Sequence, residues 1–227
     1  MKKKLFKEVD DYLNELFVPK DRVMKGVLKS LVEGGLPLMN ISPIQGQLLY
    51  TLASLCKAKR ILEIGTLGGY SAIWMAKALP ERGKLITIEA NPKHASIAQK
   101  NINKAKLDSK ISIRQGKALE VLPQLIKEGE GPFDMIFIDA DKPPYVEYFK
   151  LCLQMSKLGT LIIADNVIRM GNVIDKNQKD ERVIGIRRFN KMLGKNPNAI
   201  STIIQTVGSK KHDGMALSVV KKVPKVS

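Results

Sequence analysis

Cysteine, histidine and aromatic residues are scarce in this sequence of 227 residues. It contains two cysteines, two histidines and one tryptophan, and aromatic residues make up 5% of the chain. Because Cys56 and Cys152 lie far apart in predicted helices, we expect reduced thiols in a cytoplasmic protein rather than a disulfide. The two histidines stand outside the motifs described below and are interpreted as surface residues. Few aromatic side chains also leave few stacking platforms for single-stranded nucleic acid.

Long apolar segments are absent as well. No apolar run reaches the length of about 18 residues that a membrane span needs, so we expect none. The lysines that follow Met1 do not lead into the apolar core of a signal peptide, which argues against secretion. A chain that is 44% hydrophobic and 26% charged is typical of an α/β domain with a substantial core. We therefore expect one domain over residues 1–227, in which residues 1–36 form an N-terminal helical extension.

Positive charge is in clear excess. The net charge is +16, from 38 basic and 22 acidic residues, and from Arg169 onward 13 basic residues stand against 4 acidic ones. Such an excess can attract nucleic acid or anionic substrates. A lysine-rich, solvated surface explains it as well, so the charge alone leaves nucleic-acid binding open.

The hydrophobic pattern predicts three helices followed by alternating strands and helices. Helical spacing is found over residues 3–17 and about 20–33, and Ser42-Pro43 is a typical start for a third helix that runs to about Lys57. From Arg60 onward, an alternation of strands and helices predicts a parallel sheet covered on both faces. The last two strands are close enough to form a hairpin, so one strand should be antiparallel. We expect strands near 60–64, 84–89, 111–114, 133–138, 159–164, 199–206 and 214–220, with helices near 70–79, 92–105, 117–127, 143–155 and 179–194.

Polar residues follow two of the predicted strands. The apolar run Met135 to Ile138 ends in Asp139, Asp141 and Lys142, and the next strand ends in Asp165-Asn166. Neighbouring strand ends lie about 5 Å apart, and ligands of open α/β sheets bind beyond these ends. Two carboxylates and an amide oxygen suit Mg²⁺, with Mn²⁺ or Ca²⁺ as alternatives. An Asx turn is the ordinary alternative for Asp165-Asn166.

A glycine-rich turn follows the first strand. Gly65, Gly68 and Gly69 form a GxxGG pattern preceded by Glu63, and Glu89 ends the second strand 24 residues after Gly65. An acid at that distance commonly binds ribose hydroxyls, whereas Glu63 suits an ammonium group better than a phosphate. The combination favours S-adenosylmethionine over a nicotinamide dinucleotide. A plain strand-to-helix turn is the simpler alternative.

These motifs resemble those of class I S-adenosylmethionine-dependent methyltransferases, and more narrowly of the cation-dependent O-methyltransferases of the caffeoyl-CoA and catechol type. The resemblance covers about residues 37–220 and implies a Rossmann-like fold with a mostly parallel sheet of seven strands. It is carried by Leu62-Glu63-Ile64-Gly65, Gly69-Tyr70-Ser71, Phe137-Ile138-Asp139-Ala140-Asp141-Lys142, Asp165-Asn166 and Ser42-Pro43 with Gly46-Gln47-Leu48-Leu49.

The resemblance also implies roles for individual residues. Asp139, Asp165 and Asn166 would bind the divalent cation, and Lys142 would be the catalytic base, acting beside Asp139. A homodimer is a further expectation. The cofactor would be bound by Met39, Ile41, Glu63, Gly65, Thr66, Gly69, Ser71, Glu89, Ala118 and Asp139.

The chemistry of a phenol explains why a cation and a base are needed. A phenol has a pKa of about 10, so ionising it at pH 7 costs about 4 kcal/mol. A divalent cation on that oxygen lowers the cost, and a desolvated lysine beside a cation can accept the proton. An ordinary lysine at a helix start is the alternative interpretation of Lys142.

Three functions are compatible with the sequence. The first is methyl transfer to a small catechol-like acceptor with two adjacent hydroxyls. The second keeps the cofactor and cation but takes a hydroxylated tRNA base of the hydroxyuridine type as acceptor, which the net charge of +16 favours. The third is a non-catalytic cofactor-binding or interaction protein, against which the complete set Asp139, Lys142, Asp165 and Asn166 argues.

Overall fold

Three helices precede the sheet in the computed structural model, which describes residues 2–208 and 212–224, with side chains from Lys4 onward. They are α1 (Lys2–Phe17), α2 (Arg22–Glu33) and α3 (Pro43–Leu55). The start of α3 agrees with the sequence prediction: Ser42 and Gln45 form a reciprocal capping box ahead of Pro43. The helix ends before Lys57, earlier than predicted, because Lys57 adopts a left-handed conformation with φ of 48°.

Strands and helices then alternate, as the hydrophobic pattern predicts. A short 3₁₀ segment, Arg169–Ile174, connects the fifth strand to the last helix. The strands are β1 (Arg60–Ile64), β2 (Lys84–Glu89), β3 (Ile111–Gln115), β4 (Phe133–Ile138), β5 (Ser156–Asp165), β6 (Ala199–Thr206) and β7 (Asp213–Val220). The intervening helices are α4 (Tyr70–Lys77), α5 (Pro92–Lys104), α6 (Ala118–Lys127), α7 (Tyr145–Gln154) and α8 (Glu181–Leu193).

The seven strands form one sheet in the order β3-β2-β1-β4-β5-β7-β6. The pairs from β3 to β5 are parallel, whereas β7 runs antiparallel to both β5 and β6. The predicted antiparallel strand at the end of a mostly parallel sheet is therefore confirmed. Because chain order reverses between β1 and β4, the crevice at their carboxyl ends is where this kind of sheet binds ligands.

Both faces of the sheet are covered, which explains its nearly continuous apolar strands. On one face Leu62 and Ile136 pack against α6, α7 and α8. On the other face Ile61 and Phe137 pack against α2, α3, α4 and α5. The alternation within β1 and β4 sends neighbouring side chains to opposite faces. The sheet is thus a rigid frame that fixes the positions of the loops at its carboxyl edge.

Other predicted boundaries also differ from the structure, and two of them have a clear cause. Strand β5 begins at Ser156, because Ser156 pairs with Phe133 ahead of a register shift in β4. Helix α7 begins at Tyr145 rather than at residue 143, since Pro143 and Pro144 precede it and Pro144 lies outside the helical region. Within the two described ranges, none of the helices combines the length and apolarity needed to cross a bilayer.

Candidate active site

A cavity of about 690 Å³ lies at the carboxyl ends of β1, β2 and β4. This volume is within the range of small-molecule binding sites. Asn40, His94, Lys117, Arg169 and Arg182 also line it. The cavity collects most of the predicted cofactor and catalytic residues: Met39, Ile41, Gly65, Thr66, Ser71, Glu89, Ala118, Asp139, Lys142 and Asn166.

The glycine at the end of β1 allows two strand ends to approach closely. Gly65 has φ of 98°, and a Cβ atom built on it would lie 2.1 Å from the carbonyl oxygen of Asp139. The amide of Asp139 donates to the carbonyl of Ile64 over 2.9 Å. Any side chain at position 65 would therefore push apart the two segments that carry the site.

Glu89 ties the glycine-rich turn to the end of β2. Its Oε2 accepts hydrogen bonds from the amides of Thr66 (3.2 Å) and Leu67 (2.8 Å), and its Oε1 accepts one from Asn91 (2.8 Å). His94 Nδ1 lies 3.6 Å from Oε1. A carboxylate can accept about four hydrogen bonds, so capacity remains for a ligand hydroxyl. The role of Glu89 in binding ribose stays a prediction, and His94, interpreted from sequence as a surface residue, is half-buried in the cavity wall.

Glu63 lies behind the turn rather than in the cavity wall. It is fully buried, and its carboxylate accepts hydrogen bonds from the hydroxyls of Ser71 and Thr87, the latter over 2.6 Å. The Thr87 hydroxyl also lies 2.5 Å from that of Thr66. Burial raises the pKa of Glu63 to about 8; the two hydroxyl contacts oppose this shift, and the charge of Asp139 adds to it. Thr66 and Ser71 line the cavity, and Glu63 lies behind them. Two other predicted site residues, Gly69 and Asp165, are also absent from the cavity wall.

Lys142 joins the ends of β4 and β5. Its ammonium donates to Asp139 Oδ1 (3.0 Å), to the Tyr145 hydroxyl (2.6 Å) and to the backbone carbonyl of Asp165 (3.1 Å). The Tyr145 hydroxyl in turn donates to the same carbonyl over 3.0 Å. An ammonium has three N–H groups, so these contacts satisfy all of them. Lys142 is 6% exposed, which makes it a buried, oriented side chain rather than a solvated lysine at a helix start.

The carboxylates near Lys142 have a surplus of negative charge. Asp165 is buried, and its Oδ1 accepts a hydrogen bond from the amide of Asn166 over 2.8 Å. Burial raises the pKa of Asp165, the charge of Asp139 raises it further, and Lys142 opposes both effects. Across residues 2–208 and 212–224, the amide group of the Asn166 side chain makes no hydrogen bond.

These residues fit a hard divalent cation as part of its coordination shell. Asp139, Asp165 and Asn166 provide oxygen donors only, which is what Mg²⁺ or Ca²⁺ prefers. A cation there would relieve the repulsion between the two carboxylates. No group of three or more His, Cys, Asp or Glu side chains is arranged to hold a metal within the described ranges. The two carboxylates therefore need an amide, water or ligand oxygens to complete a shell.

Two tyrosines that the sequence analysis did not identify organise the same edge. The Tyr148 hydroxyl donates to Asp141 Oδ1 over 2.5 Å, which gives Asp141 a positioning partner at the cavity wall. Tyr145 packs edge-on against Phe189, with ring centroids 5.4 Å apart. Both tyrosines lie on one face of α7, three residues apart, but helical spacing of this kind is equally typical of core residues. No sequence signal separates the two roles.

Comparison with known proteins agrees with the geometry. The family model described as O-methyltransferase matches residues 14–222. The chain is 56% identical to a catechol O-methyltransferase of Niastella koreensis over 97% of this chain and all of that protein. It superposes on the O-methyltransferase of Bacillus cereus, solved in complex with SAH, with a TM-score of 0.94 at 45% identity, covering 96% of this chain and 100% of the other.

A third relative is the O-methyltransferase TomG of Streptomyces achromogenes, which is involved in tomaymycin synthesis and was solved in complex with SAM. It has a TM-score of 0.94 and 41% identity over 97% of this chain and 99% of its own. The chain belongs to the O-methyltransferase family. The resemblance inferred from the strand-end motifs is thereby confirmed at the level of family, fold and enzyme class.

The buried Glu63 makes folding stability depend on pH. Its pKa is raised from 4.5 to about 8 in the folded state, so the folded protein holds a proton that the unfolded chain releases between these values. Stability should therefore fall as pH rises from about 5 to about 8, by an amount on the order of a few kcal/mol. Glu63→Gln cannot ionise, and its stability relative to wild type should rise across this window.

Urea denaturation of the ligand-free protein at pH 5, 6.5 and 8 measures this difference. Glu81→Gln, which changes an exposed glutamate, is the matched control and should follow wild type at every pH. A constant difference between Glu63→Gln and wild type from pH 5 to pH 8 would show that Glu63 is ionised in the folded protein.

Proposed function

We propose that this protein is a divalent-cation-dependent O-methyltransferase that transfers the methyl group of S-adenosylmethionine to a hydroxyl of a small, catechol-like acceptor. The proposal depends chiefly on one observation: Lys142 Nζ contacts Asp139 and the end of β5 at the wall of a cavity that also includes the glycine-rich turn. Methyl donor, cation and acceptor can thus meet at one edge of the sheet. The catechol O-methyltransferase of Niastella koreensis, 56% identical, supports the acceptor class.

The cavity suits the parts of S-adenosylmethionine. Glu89 would accept from the ribose hydroxyls, Met39 and Ile41 would contact the amino-acid end, and Ala118 would contact the adenine. Two relatives were solved with SAH or SAM bound, which supports the same ligand here. When bound, the cofactor supplies an electrophilic methyl, and the acceptor oxygen forms its C–O bond as the C–S bond breaks.

Asp139, Asp165 and Asn166 would hold the cation, for which Mg²⁺ is the first choice. When bound, it lowers the cost of ionising the acceptor hydroxyl. The protein itself excludes water from this edge, since Asp165 and Lys142 are 2% and 6% exposed. Asp139 has a second role, because it also orients the Lys142 ammonium.

As a neutral amine, with one N–H proton given up to solvent beforehand, Lys142 would take the proton of the reacting hydroxyl at its Nζ. Tyr145 and the Asp165 carbonyl hold this atom in place, at 2.6 Å and 3.1 Å. A base that is already oriented loses little entropy in the reaction and contributes typically 10²- to 10⁴-fold in rate. Asp139 would then stabilise the ammonium that forms.

Replacing a proposed metal ligand should separate cation-dependent chemistry from cofactor binding. We expect Asp165→Ala to lose at least about 100-fold in Mg²⁺-stimulated turnover, since even outer-shell changes at metal sites cost 10–100-fold. SAH binding, measured by calorimetry, should persist. Asp108→Ala removes an exposed aspartate and should behave as wild type. Full activity of Asp165→Ala in the presence of a chelator would rule out the cation site.

The base can be tested on the same assay. Lys142→Ala should lower kcat by about 10²- to 10⁴-fold and leave SAH affinity nearly unchanged, because the proton acceptor is lost while the cofactor contacts remain. Lys150→Ala, an exposed lysine on α7, is the control. Near-normal kcat in Lys142→Ala would remove Lys142 as the base.

A hydroxylated tRNA base is the second candidate acceptor, favoured by the net charge of +16. Transfer of a radiolabelled methyl group to a catechol panel and to undermethylated bulk tRNA, each with and without Mg²⁺, distinguishes the two. The proposal expects Mg²⁺-stimulated labelling of catechols. Labelling of tRNA alone would replace the small-molecule acceptor, and labelling of neither would favour a non-catalytic protein.

The surface of α1 supports a homodimer. Leu5, Val9, Tyr12 and Leu16 follow one another at helical spacing, and between 45% and 62% of each residue is exposed. Such an apolar stripe is typical of a surface that another molecule covers. Light scattering should give about twice the 25.2 kDa chain mass. Tyr12→Glu should shift the mass toward the monomer, whereas Lys7→Glu on the opposite side of α1 should not; a monomeric wild type would contradict the dimer.

A further inference from the structure

Arg169 is a cationic side chain in the cavity that the proposed methyl transfer does not use. It lies three residues after Asn166, at the start of the 3₁₀ segment, and lines the same cavity as Asp139, Lys142 and Asn166. Arg169 therefore stands close in the chain to a proposed cation ligand, and it belongs to the wall of the cavity in which the acceptor would meet the base.

The Arg169 side chain has no partner in the part of the chain that the structure describes. It makes no hydrogen bond or ion pair there, and its Nε is buried from solvent without an acceptor. A buried N–H group without an acceptor is costly, and more so when the group is charged. A ligand that brings an acceptor oxygen would remove this cost.

Other charged groups around the cavity are already paired or lie elsewhere. Arg182 holds the carboxylate of Asp180 through its Nε and Nη2, at 3.0 Å and 2.7 Å. The charge of Arg169 is a minor contribution to the lowered pKa of Asp180, after the contacts with Arg182. Lys142 is held by Asp139. Lys117 is exposed to solvent near the end of β3, so Arg169 is the cation best placed for an anion of the acceptor.

The backbone around Arg169 is held in a costly conformation. Arg169 and Met170 have φ of 54° and 57°, in the left-handed region that non-glycine residues rarely adopt. Asp213 Oδ1 accepts from the amides of Ile168 (3.0 Å) and Arg169 (2.9 Å) and so fixes this conformation. Strained residues of this kind persist where surrounding contacts determine them, often at ligand sites. The backbone that carries the Arg169 side chain is thus fixed before a ligand arrives.

We propose that Arg169 binds a carboxylate on the methyl acceptor, so that the preferred substrates are catechol-like carboxylic acids rather than neutral catechols. A guanidinium pairs with a carboxylate through two parallel hydrogen bonds, which orients the ligand as well as holding it. A single unpaired arginine matches one negative charge, which favours a carboxylate over a phosphate. This inference rests on the proposed function, since it concerns the acceptor of that reaction.

Two acceptors that differ only in charge test the proposal. They are 3,4-dihydroxybenzoate and its neutral, similarly shaped amide, 3,4-dihydroxybenzamide, assayed with S-adenosylmethionine and Mg²⁺. Wild type should have the higher kcat/KM with the benzoate. Arg169→Gln should lower kcat/KM for the benzoate by about 10- to 100-fold, mainly through KM, and change the amide little, because a hydrogen bond to a charged group is lost. Arg169→Lys should restore part of the preference for the benzoate over the amide, since lysine keeps the charge but cannot form the two parallel hydrogen bonds of a guanidinium.

Arg82→Gln removes an arginine that is exposed in the loop before β2, at the opposite edge of the sheet, and should leave both acceptors unaffected. Calorimetry of 3,4-dihydroxybenzoate with the SAH-bound protein gives a readout without turnover and should show the same loss in Arg169→Gln. If Arg169→Gln retains the wild-type ratio of the two acceptors, Arg169 does not bind the carboxylate and the methyl transfer stands. If wild type methylates neither acceptor, the proposed function fails first.

Discussion

The contacts of the Lys142 ammonium hold together the edge of the sheet on which the site depends. The buried Nζ donates to the carboxylate of Asp139 after β4, to the hydroxyl of Tyr145 on α7 and to the backbone carbonyl of Asp165 at the end of β5. Taking an ammonium out of water is expensive unless every N–H has an acceptor, so this arrangement permits few alternatives. The same contacts that compensate its burial also orient it toward the cavity.

This constraint extends outward through neighbouring residues. Asp139, which contacts Lys142, follows directly on the strand that approaches Gly65, where no side chain would fit. On the other side, the turn after Asp165 leads into the strained segment at Arg169, which Asp213 of β7 holds in place. The antiparallel strand at the end of the sheet thus helps to position Arg169 at the cavity wall, in addition to its part in the core.

Two kinds of carboxylate environment occur near each other in this structure. Glu63 is surrounded by hydroxyls, and burial raises its pKa to about 8, which favours the protonated carboxyl group. Asp139 and Asp165 repel one another, and the single ammonium of Lys142 offsets only part of their charge. This pair of carboxylates therefore favours a bound cation. Similar residues at strand ends therefore acquire different chemistry because their neighbours differ. Family membership accounts for the reaction class, and these local environments account for the roles proposed within it.

The sequence by itself determined the succession of strands and helices in a mostly parallel sheet with a terminal hairpin, the glycine-rich turn and the polar strand ends. These depend on local periodicity and on residues adjacent in the chain. The lateral order of the strands, β3-β2-β1-β4-β5-β7-β6, was decided by the tertiary structure. It did not predict that Glu63 would lie behind the turn, that His94 would reach the cavity or that Tyr145 would hold Lys142. Those contacts join residues from different elements, and only the packing of α7 and α5 onto the sheet decides which side chains meet. The same holds for Arg169. Its charge is visible in the sequence, but only the tertiary structure shows that the nearby carboxylate of Asp180 is bound by Arg182 and not by Arg169.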